Sequence, residues 1–214
     1  YMIESKSLKL YLNSFSQYRS TLEDVLSIIR TDLLNVLDID DDSFFFLDVI
    51  SGRSQNTDEE KIYKCIDTIE SSDFIYEYDP HLLKTVSSDS TQTIRLYSNL
   101  LKSNCRHTRQ PDWGSVFIDY IPSGLLVDEE SLLKYIVSFR SHNEFHEECC
   151  ERILYDLVSL LNPCYLQVRC KYVRRGGLDI NPCRVYISPT SSHNSFYLFG
   201  LLDEFTFFSQ TERQ

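Results

Sequence analysis

Apolar residues recur at helical spacing in two regions of the chain. Leu22, Val25, Leu26, Ile29, Leu33 and Leu37 mark one amphipathic helix, and Ile153, Leu157, Leu160 and Leu161 mark a second. Ser20 and Glu23, just ahead of the first run, have the spacing of a capping box. Other stretches read as strands. Ser43–Ile50 is aromatic and β-branched, and Val116–Tyr120 is a short strand-like run. Tyr165–Val173 alternates, with Leu166, Val168, Cys170 and Tyr172 on one face and Gln167, Arg169 and Lys171 on the other.

The two helical regions align with each other at an offset of 124 residues. Ser14-Phe15 then matches Ser138-Phe139, Ile29 matches Ile153, Asp32 matches Asp156, Leu33 matches Leu157 and Leu37 matches Leu161. Helix periodicity alone produces part of this match, but not the Ser-Phe pair or the acidic pair, so an internal repeat is predicted. Strands accompany each helical part. Two strand–helix–helix–strand modules, residues 1–98 and 99–214, imply an α+β architecture with antiparallel sheets packed on helices.

The net charge of −11 argues against direct nucleic-acid binding, which needs clustered Lys and Arg to displace counterions. A small molecule is the expected partner. Part of the acid is local, as in Asp38-Ile39-Asp40-Asp41-Asp42, read as a solvated turn. The seven cysteines include no CxxC pair, so neither a disulfide framework nor a zinc ribbon is suggested. A reducing, cytoplasmic setting follows. The longest apolar stretch, Ser195–Phe208, is broken by Asp203-Glu204 and is too short to span a bilayer, so no membrane association is expected. The six glycines form no GxGxxG, which excludes a Rossmann cofactor pocket.

Candidate chemistry concentrates in Ser103-Asn104-Cys105 and Gln110-Pro111-Asp112-Trp113-Gly114-Ser115. A cysteine and an aspartate stand seven residues apart, just before the strand-like run at Val116. A thiol nucleophile needs a partner to handle the proton of whatever it attacks, and Asp112 is near enough in sequence to do so. On these residues alone, a small buried thiol and a turn aspartate are the commoner meaning. Three more segments bear on the choice: Ile3-Glu4-Ser5-Lys6-Ser7-Leu8-Lys9-Leu10-Tyr11, Asn143-Glu144-Phe145-His146-Glu147, and Arg174-Arg175-Gly176-Gly177-Leu178-Asp179-Ile180-Asn181-Pro182. Together, in this order, the four segments resemble the NADPH-dependent 7-cyano-7-deazaguanine reductases, the nitrile reductases of queuosine biosynthesis, in their two-module form.

The resemblance implies a tunnelling fold like that of GTP cyclohydrolase I. It implies reduction of the nitrile 7-cyano-7-deazaguanine to 7-aminomethyl-7-deazaguanine by two NADPH in turn. Cys105 is then the nucleophile that forms a covalent thioimide, Asp112 the proton donor and His146 an aid to proton transfer or thiolate formation. Ile3, Glu4, Ser5, Phe145, His146 and Glu147 contact the substrate. A carboxylate suits the donor edge of a deazaguanine, and Phe145 is placed to stack on the base. Ser5, Lys6, Arg175 and Gly176 contact NADPH, a cationic set with a Gly-Gly approach. No metal is expected.

The repeat divides this labour. Glu4-Ser5-Lys6 aligns with Asp128-Glu129-Glu130, and His146-Glu147 aligns with Leu22-Glu23, so neither half carries the full set. The active site is expected at a seam between modules, with Glu4 and Glu147 in one pocket, and a homodimer is expected. Relative to the two-module form, a segment ahead of residue 3 is expected to be missing. Cys183 replaces an expected aromatic residue, and Phe196–Phe208 is more apolar than the family pattern. Two rivals stand beside this reading. One is a non-catalytic purine- or pterin-binding module of the same fold. The other is a metal-dependent cyclohydrolase-like enzyme using His142 and His146, which lie four residues apart with Glu147, Cys149 and Cys150 adjacent.

Overall fold

The computed structural model describes residues 3–15, 18–39, 47 and 62–189. Two compact units form, residues 1–53 with 175–178, and residues 54–174 with 179–214.

Within the first unit, helix α1 spans Ser5–Ser14 and α2 spans Leu22–Leu37. Glu4 caps α1, its carboxylate accepting from the backbone N–H groups of Lys6 and Ser7, both at 2.8 Å. Free N–H groups at a helix start demand such acceptors. The cap of α2 falls one residue later than the sequence pattern places it. Thr21, in extended conformation, accepts from the Asp24 N–H at 3.1 Å. Ser20 instead donates its hydroxyl to the Asp24 carboxylate at 2.8 Å. The predicted strand Ser43–Ile50 lies outside the described residues apart from Leu47, and the apolar tail Phe196–Phe208 lies wholly outside them.

The second unit contains β1 (Lys64–Cys65), β2 (Thr85–Ser87), β3 (Ile94–Asn104), β4 (Pro111–Ile121), β5 (Leu125–Val127), α3 (Glu129–Ser138), α4 (His146–Leu161), β6 (Tyr165–Tyr172) and β7 (Cys183–Ile187). One sheet runs β1-β3-β4-β6-β7, antiparallel except for the parallel β1–β3 pair, and β2 and β5 make a separate antiparallel ribbon. β3 passes through residues 98–99. This mix of helices and largely antiparallel sheet is the expected α+β class.

The pleat sorts the side chains. Val116 pairs with Cys170, Ile118 with Val168 and Tyr120 with Leu166. All six belong to the main core with Leu132 and Ile136 of α3 and Ile153, Leu157 and Leu161 of α4. Burying each aliphatic side chain contributes roughly 1.5–3 kcal/mol. The alternate positions of β6 are buried as well. Gln167, Arg169 and Lys171 are no more than 4% exposed. Arg169 donates to the Tyr63 hydroxyl at 2.7 Å, and Tyr63 donates to Asp119 at 2.6 Å. Buried polar groups persist where they are bonded to one another.

The internal repeat is visible in both helix pairs. α1 and α3 each have 10 residues, and α2 and α4 each have 16. Tyr11 donates to Asp32 at 2.6 Å, and Tyr135 makes the matching bond to Asp156 at 2.6 Å. Asp38 and Asn162 end α2 and α4 in the left-handed conformation, which short polar residues tolerate. Among the described residues, no helix is long and apolar enough to cross a membrane.

Candidate active site

β3 and β4 form a hairpin whose loop carries the thiol. The Cys105 N–H donates to the Gln110 carbonyl and the Arg109 N–H to the Cys105 carbonyl, both at 2.9 Å. Arg109 sits at φ 55° to close the turn. Strand β4 starts at Pro111, earlier than the sequence pattern suggests, so Asp112 is a strand residue rather than part of a turn. It stands across from Ser103 of β3.

The end of β3 is tied to the chain entering α4. Asn104 donates its N–H to the His142 carbonyl at 2.8 Å and accepts from the Glu144 N–H at 3.1 Å. Lys102 Nζ reaches Asn104 Oδ1 and the Arg140 carbonyl, each at 2.6 Å. These bonds hold Cys105 beside the first turn of α4. There His146 presents Nε2 at 3.1 Å from Asp112 Oδ1. Its ring stacks on Tyr172 of β6, with centroids 3.8 Å apart and planes 9° from parallel. Asp112 is 3% exposed, so the pair works in a site largely free of bulk water.

Cys105 is half-buried, and burial opposes its ionisation. Hydrogen bonds from the Thr108 hydroxyl, the Thr108 N–H and the His107 N–H favour the thiolate more strongly, and the net effect lowers the thiol pKa despite the Asp112 charge. A thiolate is the reactive form of cysteine. The hairpin therefore supplies an acidified thiol on its loop and, on its next strand, the carboxylate of a buried carboxylate–imidazole pair.

The other residues singled out from sequence fall into two groups. Phe145, His146 and Glu147 lie together at the start of α4. Phe145 packs its ring 5.3 Å from His107, with the Arg106 guanidinium 5.3 Å over its face. Glu147 is half-buried in the first helical turn, a position that favours carboxylates. In the first unit, Ile3 precedes the Glu4 cap, and Ser5 and Lys6 open α1. Both Glu4 oxygens are taken up by α1, and those bonds lower its pKa. Arg175 and Gly176 belong to the same unit as α1. Gly176 has φ +57°, and a Cβ there would lie 2.8 Å from Lys9 Cε. The lysine end could swing aside, so it is the left-handed φ that favours glycine here. Lys6, Lys9 and Arg175 belong to the same unit.

The His142/His146 pairing offered as a metal site does not form. His146 turns to Asp112, while His142, Glu144 and Cys149 bring their ligand atoms within 4.8 Å of one another. Arg152 already binds both oxygens of that Glu144, with Nε at 2.9 Å. Burial pushes the Cys149 thiol up to about 12. A metal would have to displace a guanidinium and a firmly held proton.

Gly114 belongs to the 110–115 segment, where its spacing assigns it no role, and it packs against the tyrosine under the His146 ring. It pairs with Tyr172, and a Cβ there would lie 2.9 Å from the Lys171 carbonyl and 3.0 Å from Tyr172 Cδ1. Gly114→Ala is expected to destabilise the fold by about 1–3 kcal/mol through overpacking. It should also shift the His146 ring resonances as Tyr172 is pushed aside. Unchanged His146 resonances in the folded variant would show that the glycine does not set the stack.

A family model described as "QueF-like protein" matches residues 111–191, and one described as "Nitrile reductase, 7-cyano-7-deazaguanine-reductase N-term" matches residues 1–40. The chain is 45% identical over 188 residues to an "NADPH-dependent 7-cyano-7-deazaguanine reductase" of Colwellia psychrerythraea. Over these regions the chain is similar to QueF-like proteins and 7-cyano-7-deazaguanine reductases. A second relative of the same name, from Cupriavidus metallidurans, is 42% identical over 184 residues. Each alignment covers 86% of this chain and 65% of the relative, so the chain spans about two-thirds of the length of these curated proteins. A solved QueF-Like structure, an archaeosine synthase in the apo form, is 25% identical with a TM-score of 0.44, covering 47% of this chain and 98% of that one. The matched regions contain Asp112, His146, Glu4 and Lys6, and Cys105 lies just ahead of the 111–191 match, outside both.

Proposed function

We propose that this chain reduces the nitrile of a 7-cyano-7-deazapurine to a primary amine with NADPH, as the names of its relatives say of those proteins. The observation that carries the reading is the acidified Cys105 thiol on a hairpin whose next strand holds Asp112 against His146.

The Cys105 thiolate attacks the nitrile carbon, a C–S bond forms, and the nitrogen takes one proton to give the thioimide. Asp112 and His146 pass that proton, since a group within hydrogen-bond reach of its partner can relay it. NADPH, when bound, supplies hydride. Two hydrides and the accompanying protons complete the four-electron reduction, and Cys105 leaves as thiolate. Anchoring the carbon to the protein keeps the intermediate from water. Lys6, Lys9 and Arg175, cations of one unit, suit the cofactor's phosphates, with Gly176 packed against the Lys9 side chain. Phe145 and Glu147 hold the base from the start of α4, and His146 lies between them in sequence. Ile3, Glu4 and Ser5 contribute from the start of α1.

Two tandem modules, residues 1–98 and 99–214, carry these sets. The matching helix pairs and Tyr–Asp bonds support that division. A homodimer in the cytoplasm is the proposed state. Free cysteines suit a reducing compartment, and β7 ends the described sheet with Val185 and Ile187 exposed.

Intact-mass spectrometry of the protein mixed with 7-cyano-7-deazaguanine, without NADPH, tests the reading. The expected result is a gain of one whole substrate mass per chain, located on Cys105. Folded protein that gains no mass would end the proposal.

A further inference from the structure

The strand end and the loop tip are held in different ways. Asn104 is locked by backbone bonds to residues 142 and 144. The tip, which bears the Thr108 and His107 donors to the Cys105 thiolate, has other supports: Arg106 and His107 against Phe145, and one ion pair. That pair joins Arg106 to Glu148 Oε2 at 2.9 Å. The same oxygen accepts the Phe145 N–H at 3.0 Å, the bond that caps the first turn of α4.

The geometry points to Glu148 as a positioning residue for the nucleophile. One carboxylate oxygen fastens both the Cys105 loop, through Arg106, and the helix start that carries Phe145 and His146. This deepens the proposed reaction and rests on reading Cys105 as its nucleophile. The glutamate touches no reacting atom. It fixes the loop tip whose hydroxyl and N–H groups stabilise the thiolate, and it fixes that tip relative to the imidazole two residues earlier in the chain.

The pair is a half-exposed one, with side chains 46% and 34% accessible. Such pairs add little to global stability. A role in stability and a role in positioning are therefore separable. Glu148→Gln retains a carbonyl oxygen to cap the Phe145 N–H but loses the charge that holds Arg106. Arg106→Gln removes the other partner, and Arg106→Lys keeps the charge.

The test is the rate of alkylation of Cys105 by iodoacetamide against pH, read on the Cys105-containing peptide, with thermal melting in parallel. In Glu148→Gln and Arg106→Gln, alkylation near neutral pH should fall on the order of two- to fivefold, the size of effect a half-exposed pair carries. Its pH profile should move to higher pH in both, with unchanged melting. Arg106→Lys should restore most of the rate. High salt should slow the wild type toward the variants and leave the variants unmoved, because exposed charges are screened. Profiles that superimpose on wild type would overturn the assignment. So would a slower rate that appears only with a lowered melting temperature. The reagent is neither nitrile nor cofactor. A shifted profile in a protein that forms no nitrile adduct would thus uphold the positioning role while ending the proposed reaction.

Discussion

Cys105→Ala is expected to lose substrate-dependent NADPH oxidation entirely, on the order of 10⁴-fold or more, as when a covalent nucleophile is removed from an enzyme. Binding residues in the two units are untouched by this change. The side chain is small and half-buried, so the variant should melt within about 1 kcal/mol of wild type. The wild-type protein should show why the thiol is suited to attack. Protonated thiol is inert, and the thiolate fraction rises as pH passes the pKa. Bonds from Thr108 and His107 lower that pKa, so alkylation of Cys105 should set in at lower pH than for an ordinary cysteine. Cys149, held up near 12 by burial, should stay unreactive over the same range in the folded protein. Measurable turnover by purified, folded Cys105→Ala would remove the covalent step from the mechanism.

Asp112→Asn should reduce the nitrile about 10²–10⁴-fold more slowly while still binding it, the usual cost of losing a positioned general acid or base. The substitution preserves shape at a site 3% exposed, so the strand pairing with Ser103 should survive. What it removes is the carboxylate 3.1 Å from His146 Nε2. The amide can accept a hydrogen bond from the imidazole but cannot take up and return its proton. Single-turnover reduction, started by adding NADPH to protein and nitrile, separates the chemical step from product release. Equal single-turnover rates in wild type and variant would exclude Asp112 from proton transfer.

The helices were legible because they depend on short-range order. Leu22 to Leu37 and Ile153 to Leu161 repeat at the period of a helix, and the 124-residue offset places both pairs of helices where they are found. The motif residues at Cys105, Asp112 and His146 were proposed for a different reason. Their order along the chain resembles a family, and the matched region 111–191 contains Asp112 and His146 but not Cys105. Helix caps were legible only to within a residue, as at Ser20 and Thr21, because the cap depends on which residue turns extended.

What only the tertiary structure decided are contacts between residues far apart in sequence. The His142/His146 spacing suggested a shared metal, but the fold gives His146 to Asp112 on a strand and His142 to Glu144 near Arg152. The alternating polar residues of β6 carried no sign that Arg169 and Lys171 would be buried. Arg169 owes part of its place to a tyrosine 106 residues away. Gly114 reads as a turn residue in sequence, but its role is to let Tyr172 lie under the His146 ring. Glu148 reads as one more acidic residue in a first helical turn, and only the hairpin brings Arg106 to it. Periodicity records which face of an element is apolar. It holds no record of which partner meets that face, because partner choice is settled when strands pair and helices pack.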